Sequence, residues 1–178
     1  MPRITAESTA DRFQDVVEVQ VVQTPAEIEI KVAVASGEIQ SYFAIRRQVF
    51  VEEQQIFHET DVDGFDSVAI PILAMADGRP AGAVRCYPKR PGRACVWFGG
   101  RLAVHREHRT SCNIGALLVR KAVEVMEGRG DVKRFLATIQ IQNVRFFKRL
   151  GWVCLGRPFM MNSRKHQMME KPLRRISQ

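Results

Sequence analysis

The residue pattern predicts a mixed α/β domain organised around a strand, an open polar loop and a helix. Three observations carry that expectation. Ile28, Ile30, Val32 and Val34 alternate like a strand before a helically spaced apolar stripe begins. Three strand-like runs between residues 68 and 104 are joined by short turn-forming stretches. A second helical stripe, Ile114 to Met126, follows a polar loop directly after the third run. The chain of 178 residues can bury one full core and is too short for two ordinary domains. Residues 27–178 are therefore expected to form one domain, and residues 1–26 an extension to which no order is assigned.

Within the extension, Val16 to Val22 is rich in valine and ends before Thr24-Pro25. The first strand starts near Glu27 and stops at Ser36-Gly37. Ile39, Phe43, Ile45, Arg46, Val49, Phe50 and Ile56 then recur at helical spacing, with Glu38 in the first turn where the helix dipole favours an anion; a helix is expected over roughly 38–56. His58 to Asp66 (HETDVDGFD) is an acidic loop. Its start resembles a calcium loop, but the glycine is misplaced and Ile72 occupies the twelfth position, where a carboxylate is required. The runs Val68–Ala76, Ala81–Tyr87 and Ala94–Val104 are separated by Asp77-Gly78-Arg79-Pro80 and by Pro88 to Arg93, short enough for an antiparallel meander. Gly99-Gly100 weakens the third run as an ordinary strand and marks a bulge or a close backbone approach. The Ile114 helix ends near Gly128. Phe135 to Ile141 reads as a buried strand, Asn143 to Leu150 as a short helix capped by Asn143 and closed by Gly151, and the tail as strand-like pieces around Trp152–Leu155 and His166–Glu170. The resulting order is β-α-β-β-β-α-β-α-β-β.

Composition narrows the function classes. Apolar residues at 46% and charged residues at 26% exclude fibrous, collagen-like and wholly disordered chains. The longest near-apolar run, Val68 to Ala76, falls far short of the ~18 to 20 residues of a bilayer span, and the first residues lack a hydrophobic signal core, so a cytoplasmic location is expected. Cys86, Cys95, Cys112 and Cys154 form no C-x-x-C pair and no metal-type spacing with the four histidines; reduced thiols and no metal are expected. A hairpin could bring Cys86 to Cys95, but a cytosolic redox poise disfavours a disulfide there. The net charge of +8 is uneven, −8 over residues 1–66 and +16 over residues 67–178. Such a basic half invites nucleic acid or a small molecule with several phosphates. No zinc-finger spacing, RNP-like aromatic motif or long Lys/Arg block supports nucleic acid.

Chemistry concentrates in Leu102 to Leu118 (LAVHREHRTSCNIGALL), a strand that empties into a polar loop and then a helix. The first N–H groups of a helix have no internal partner and lie at the positive end of its dipole, so this turn can hold a pyrophosphate, with Arg109 adding charge nearby.

Here the sequence resembles the GNAT N-acyltransferases, over roughly residues 28–172. Their motif R/Q-x-x-G-x-G/A matches Arg109-x-x-Cys112-x-Ile114-Gly115, with Cys112 in place of the first glycine and one further residue before Gly115. Asn143-Val-Arg-Phe-Phe-Lys-Arg-Leu-Gly-Trp resembles the helix after the family's fifth strand, with Phe147 at the position of a frequent acidic tyrosine. Ile45-Arg-Arg-Gln-Val-Phe-Val-Glu-Glu-Gln, Phe98-Gly-Gly-Arg-Leu-Ala-Val-His and Phe135-Leu-Ala-Thr-Ile-Gln-Ile-Gln-Asn-Val-Arg-Phe-Phe are most similar to GNAT-type proteins of bacterial nitrogen-starvation and nitrilase gene clusters.

The resemblance implies a mostly antiparallel sheet of six to seven strands flanked by helices, and transfer of an acetyl group from acetyl-CoA to a primary amine in a ternary complex. It implies that the backbone of Leu102, Ala103 and Val104 meets the thioester, that Arg109, Thr110, Ser111, Cys112, Asn113, Ile114 and Gly115 hold the pyrophosphate, and that Asn143, Phe146 and Phe147 line the pantetheine. Glu53 and His105 are the candidate bases; Arg47, Phe50 and Arg101 are the candidate acceptor contacts. Glu59, Asp61, Asp63 and Asp66 either attract a cationic amine or pair with Arg46 or Arg47. The expected partner is a small-molecule amine, with a homodimer left open and neither nucleic acid nor membrane expected. Alternative readings are an acyl-homoserine-lactone-synthase-like acyltransferase and a noncatalytic acyl-CoA-binding module.

Overall fold

The computed structural model describes residues 26–90, 95–110 and 112–174. The expectations for residues 1–25, for Ser111 and for the second half of the Pro88–Arg93 turn lie outside them. The described elements follow the predicted order: β1 (Ile28–Val32), α1 (Ser36–Arg47), β2 (Ile70–Ala76), β3 (Arg79–Pro88), β4 (Val96–Val104), α2 (Ile114–Glu127), β5 (Arg134–Gln140), α3 (Val144–Arg149), β6 (Val153–Met161) and β7 (Arg164–Lys171). The seven strands make one sheet in the order β1-β2-β3-β4-β5-β7-β6. Every pairing is antiparallel except β4 with β5. No described helix is long and apolar enough to cross a membrane.

Alternation along β2 shows how the sheet separates two layers. Ile72, Ala74 and Ala76 join the core beneath α2, with Ile114, Leu118, Met126 and Phe135, whereas Leu73 and Met75 pack with Tyr42 and Ile45 of α1 on the other face. The β2–β3 hairpin turns at Asp77 (φ +49°) and Gly78 (φ +73°), the paired left-handed conformation a two-residue loop requires. Gly82 lets α2 approach β3: a Cβ there would lie 2.8 Å from Leu118 Cδ1 and 2.9 Å from the Ala103 carbonyl oxygen.

Three expectations need correction. The first helix starts earlier, because the Glu38 carboxylate accepts hydrogen bonds from the Val34 and Ala35 N–H groups at 2.9 and 3.0 Å. Those bonds, with Lys31, hold its pKa down at about 2. The helix then widens into π-type turns over Gln48–Glu53 and ends there, which is why the apolar spacing drifts before Ile56. The irregularity expected at Gly99-Gly100, by contrast, is present: Ala83 pairs with Ala103 and Arg85 with Gly100, so β4 carries an extra residue directly after the glycines, and Arg101 takes φ +54°. Asn143 makes no side-chain cap to α3, while Gly151 (φ +79°) does close it, donating to the Lys148 carbonyl. The tail strands are longer than expected and meet at Asn162 and Ser163, both left-handed.

Candidate active site

The site arises where β4 and β5 part. Their parallel ladder holds only four pairs, Val96↔Arg134 to Gly99↔Ala137; beyond it the bulged half of β4 and the end of β5 diverge. A cavity of about 930 Å³ occupies the gap and is lined from both faces of the sheet. On the α2–α3 face the walls include Gly115, Val119, Phe135, Phe146, Phe147 and Trp152. On the α1 face they include Phe50, Phe57, Arg101, Gln140, Arg164 and His166.

At the first mouth α2 begins at Ile114, with Asn113 before it in the left-handed conformation (φ +52°). The first helical hydrogen bonds run from Ala116 and Leu117 back to Asn113, leaving the N–H groups of Ile114 and Gly115 at the open turn. A Cβ on Gly115 would meet nothing closer than 3.7 Å, so the turn has room for a ligand. Arg109 lines the cavity here, its Nε donating to the Val104 carbonyl at 3.0 Å. Thr110 and Cys112 lie in the connecting loop and do not line the cavity. Leu102 and Val104 line it, whereas Ala103 turns to the other face and packs on Val49 and Phe50. Phe147 stacks edge-on against Trp152 at 5.4 Å and brings no phenol.

Two candidates of opposite charge are bound to each other. The Arg109 guanidinium donates to both carboxylate oxygens of Glu53, at 2.6 and 2.8 Å. That pairing lowers the Glu53 pKa and occupies the carboxylate a base would need free. If Arg109 also serves an anionic ligand, Glu53→Gln is expected to tighten acetyl-CoA binding about two- to fivefold, the range of an exposed ion pair. A calorimetric titration reads this, and weaker binding would show that the pair orients Arg109 productively. His105 lies outside the cavity lining, with Nδ1 3.7 Å from Glu107. His105, Glu107 and His108 place potential ligand atoms within 4.8 Å of one another, but Arg106 and Arg109 beside them oppose a cation.

The acidic loop is fastened rather than open. Buried Arg46 donates through Nε to Asp61 at 2.7 Å, through Nη1 to Asp66 and the Tyr42 hydroxyl, and through Nη2 to Asp66 and the Asp61 carbonyl. Arg85 binds Asp63 with both terminal nitrogens at 2.7 Å and reaches Asp66 at 2.9 Å. Arg101 donates to the Asp61 carbonyl and to Asp63, and its guanidinium lies 4.5 Å from the centre of the Phe57 ring. The network thereby braces the β4 bulge. Arg47 is exposed, bound to Glu52 and the Glu59 carbonyl, and does not line the cavity. Sequence reading did not single out Arg85, which fell within the Ala81–Tyr87 run, or His166, which fell within a tail strand.

Burial alone would raise the Asp66 carboxyl, but hydrogen bonds from Arg46, the Asp63 N–H and Arg85 outweigh it and bring its pKa to about 2. The folded value lies below the unfolded one. The stability it confers is therefore complete above pH ~4 and is lost as pH falls toward 2, about 2 kcal/mol in all. Urea midpoints at about pH 5 and pH 3 are expected to differ more in wild type than in Asp66→Asn; equal differences would contradict this.

The cavity, the bulged strand and the open helix turn together define a fold class that the comparisons name. The acetyltransferase (GNAT) family model matches residues 38–152, and the chain belongs to that family. The Bacillus subtilis protein YjcF, described as an uncharacterized N-acetyltransferase, is 28% identical over 129 residues, 71% of this chain and 88% of its own. An acyl-CoA N-acyltransferase from Pseudomonas aeruginosa superposes with a TM-score of 0.67 at 21% identity, covering 83% of this chain and 99% of that one. BjaI, a CoA-dependent acyl-homoserine lactone synthase solved with SAM and isopentyl-CoA, superposes at 0.62 and 21%, covering 83% and 84%. Members of the family use acyl-CoA as co-substrate, and the residues at the cavity fit one: an open helix turn and Arg109 at one mouth, an unpaired strand edge in the middle, and apolar walls.

Proposed function

We propose that the protein transfers an acetyl group from acetyl-CoA to a primary amine of a small molecule. The observation that carries this is the cavity at the β4–β5 split, lined from both faces of the sheet, which would give donor and acceptor separate entrances to one point on a strand edge. The helix turn at Ile114 and Gly115, with Arg109 and the loop residues Thr110 to Asn113, would hold the pyrophosphate. Asn143, Phe146 and Phe147 would flank the pantetheine. Along β4 beyond Gly99 the backbone N–H groups that no longer serve the β5 ladder would bind the thioester oxygen as charge develops on it. Phe50, Phe57 and Arg101 would shape the acceptor entrance. Since Phe147 supplies no proton, the thiolate would take one from water, tolerable for a leaving group of thiol acidity.

The test is release of CoA thiol from acetyl-CoA with a panel of alkylamines, amino acids, polyamines and aminoglycosides. Turnover with at least one class supports the reading; acetyl-CoA binding without turnover on any would favour a noncatalytic acyl-CoA-binding module. The resemblance to BjaI makes lactone formation from S-adenosylmethionine the second reaction to assay. A lactone product would replace the amine reading.

A further inference from the structure

We propose that His166 is the general base that takes the proton from the acceptor amine, an inference that rests on the acyl-transfer reading above. Three observations converge on it. The first is an inventory of the cavity wall. Among the described residues that line it, the ionisable side chains are Arg101, Arg109, Arg164 and His166. Arginine cannot accept a proton in this range, so His166 is the one wall residue that can. Glu53 is engaged by Arg109, and His105 lies outside the wall.

The second observation is the tautomer. His166 is 6% exposed, and its Nδ1 lies 2.8 Å from the Arg164 carbonyl oxygen. A carbonyl oxygen only accepts, so Nδ1 carries the hydrogen of that bond. In the neutral ring this leaves Nε2 with a free lone pair, the state a base requires. Phe159, paired with His166 across β6–β7, packs its ring 6.4 Å from the imidazole and helps hold the ring's orientation.

The third is the face of the sheet. Phe135, Ala137 and Ile139 of β5 belong to the core beneath α2, so Gln140 points to the α1 face. His166 pairs with Gln140, and directly opposed residues share a face. The histidine thus stands on the same side as Phe50, Phe57 and Arg101, beyond the point where β5 leaves β4. This is the entrance assigned to the acceptor, opposite the helix turn assigned to the donor.

The step balances as follows. The acceptor ammonium gives one proton to Nε2 of His166, and the freed nitrogen lone pair attacks the thioester carbonyl carbon. The C–S bond breaks, its electron pair leaving on sulfur as the CoA thiolate. The second amine proton passes through water to that thiolate, and imidazolium returns its proton to solvent. Products are the amide, CoA thiol and one proton.

An amine near pKa 10 needs this base, whereas hydroxylamine is already uncharged at neutral pH and does not. The test compares wild type, His166→Gln and His166→Ala with acetyl-CoA and two acceptors, the fastest alkylamine of the panel and hydroxylamine. Both variants are expected to lose about 100-fold in kcat with the alkylamine, within the usual range for a general base. Hydroxylamine turnover and acetyl-CoA affinity should stay within about threefold, and added imidazole should restore part of the His166→Ala loss. Equal losses with both acceptors, or an unchanged His166→Gln, would overturn the assignment while leaving acyl transfer intact. Wild-type protein that binds acetyl-CoA but acetylates neither nucleophile would overturn the transfer reading and the role of His166 with it.

Discussion

Arg46→Leu is expected to destabilise the protein by about 3 to 5 kcal/mol, the largest effect of any single substitution on the α1 face. The side chain is wholly buried and holds two carboxylates whose own exposure is 2% and 6%, those of Asp61 and Asp66. Leucine fills the space but leaves both acids buried without their principal cation. Arg85 and Arg101 cannot take over, since each already serves Asp63 and keeps only its own contacts to Asp66 or Asp61. Against a typical net stability of about 5 to 15 kcal/mol such a loss is large, and the melting temperature should fall by roughly 10 °C. A triple variant in which Asp61 and Asp66 also become asparagine should recover part of it, because uncharged amides cost less to strand than carboxylates. A fall of only a degree or two in Arg46→Leu would mean that the network is dispensable.

Gly115→Glu is expected to weaken acetyl-CoA binding at least about 100-fold without unfolding the protein, combining charge repulsion with occupation of the anion's place. The fold should tolerate it: a Cβ at position 115 meets the Phe146 ring and Val104 at 3.7 Å, ordinary contact distances. The added carboxylate stands in the first turn of α2, where the open N–H groups would bind it internally. Gly115→Ala is the control. It should bind acetyl-CoA within about threefold of wild type, since methyl contact alone costs little where space exists. If glutamate and alanine behave alike, the anion does not sit at this helix turn.

Much of this architecture was legible because local rules decide it. Asp77-Gly78 specified its hairpin, the double glycine announced an irregular β4, and Asp/Arg pairing for the acidic loop was among the options the charges allowed. The parts that escaped depend on partners distant in sequence. Arg85 is buried within β3 only because Asp63 and Asp66 arrive there from the loop. Ala103 and Val104 alternate as strand residues do, but which of them faces the cavity depends on the extra residue after Gly100, so the thioester-facing stretch could not be divided beforehand. The β6–β7 hairpin turns through Asn162 and Ser163 without a glycine, and β6 leaves Val153, Phe159, Met160 and Met161 exposed at the sheet edge, so neither strand end carried a clear boundary. With that turn unread, His166 could not be set opposite Gln140, nor on the acceptor face. The divergence of β4 from β5 is likewise a property of register between strands about 38 residues apart, and no local pattern encodes it.

The split between β4 and β5 is expected to receive an acyl-CoA. Calorimetric titration of the wild-type protein with acetyl-CoA tests it most directly. One-to-one binding in the micromolar range, competed by CoA and lost in Gly115→Glu but retained in Gly115→Ala, is the predicted result. No heat of binding up to millimolar acetyl-CoA, with longer acyl chains equally silent, would contradict it.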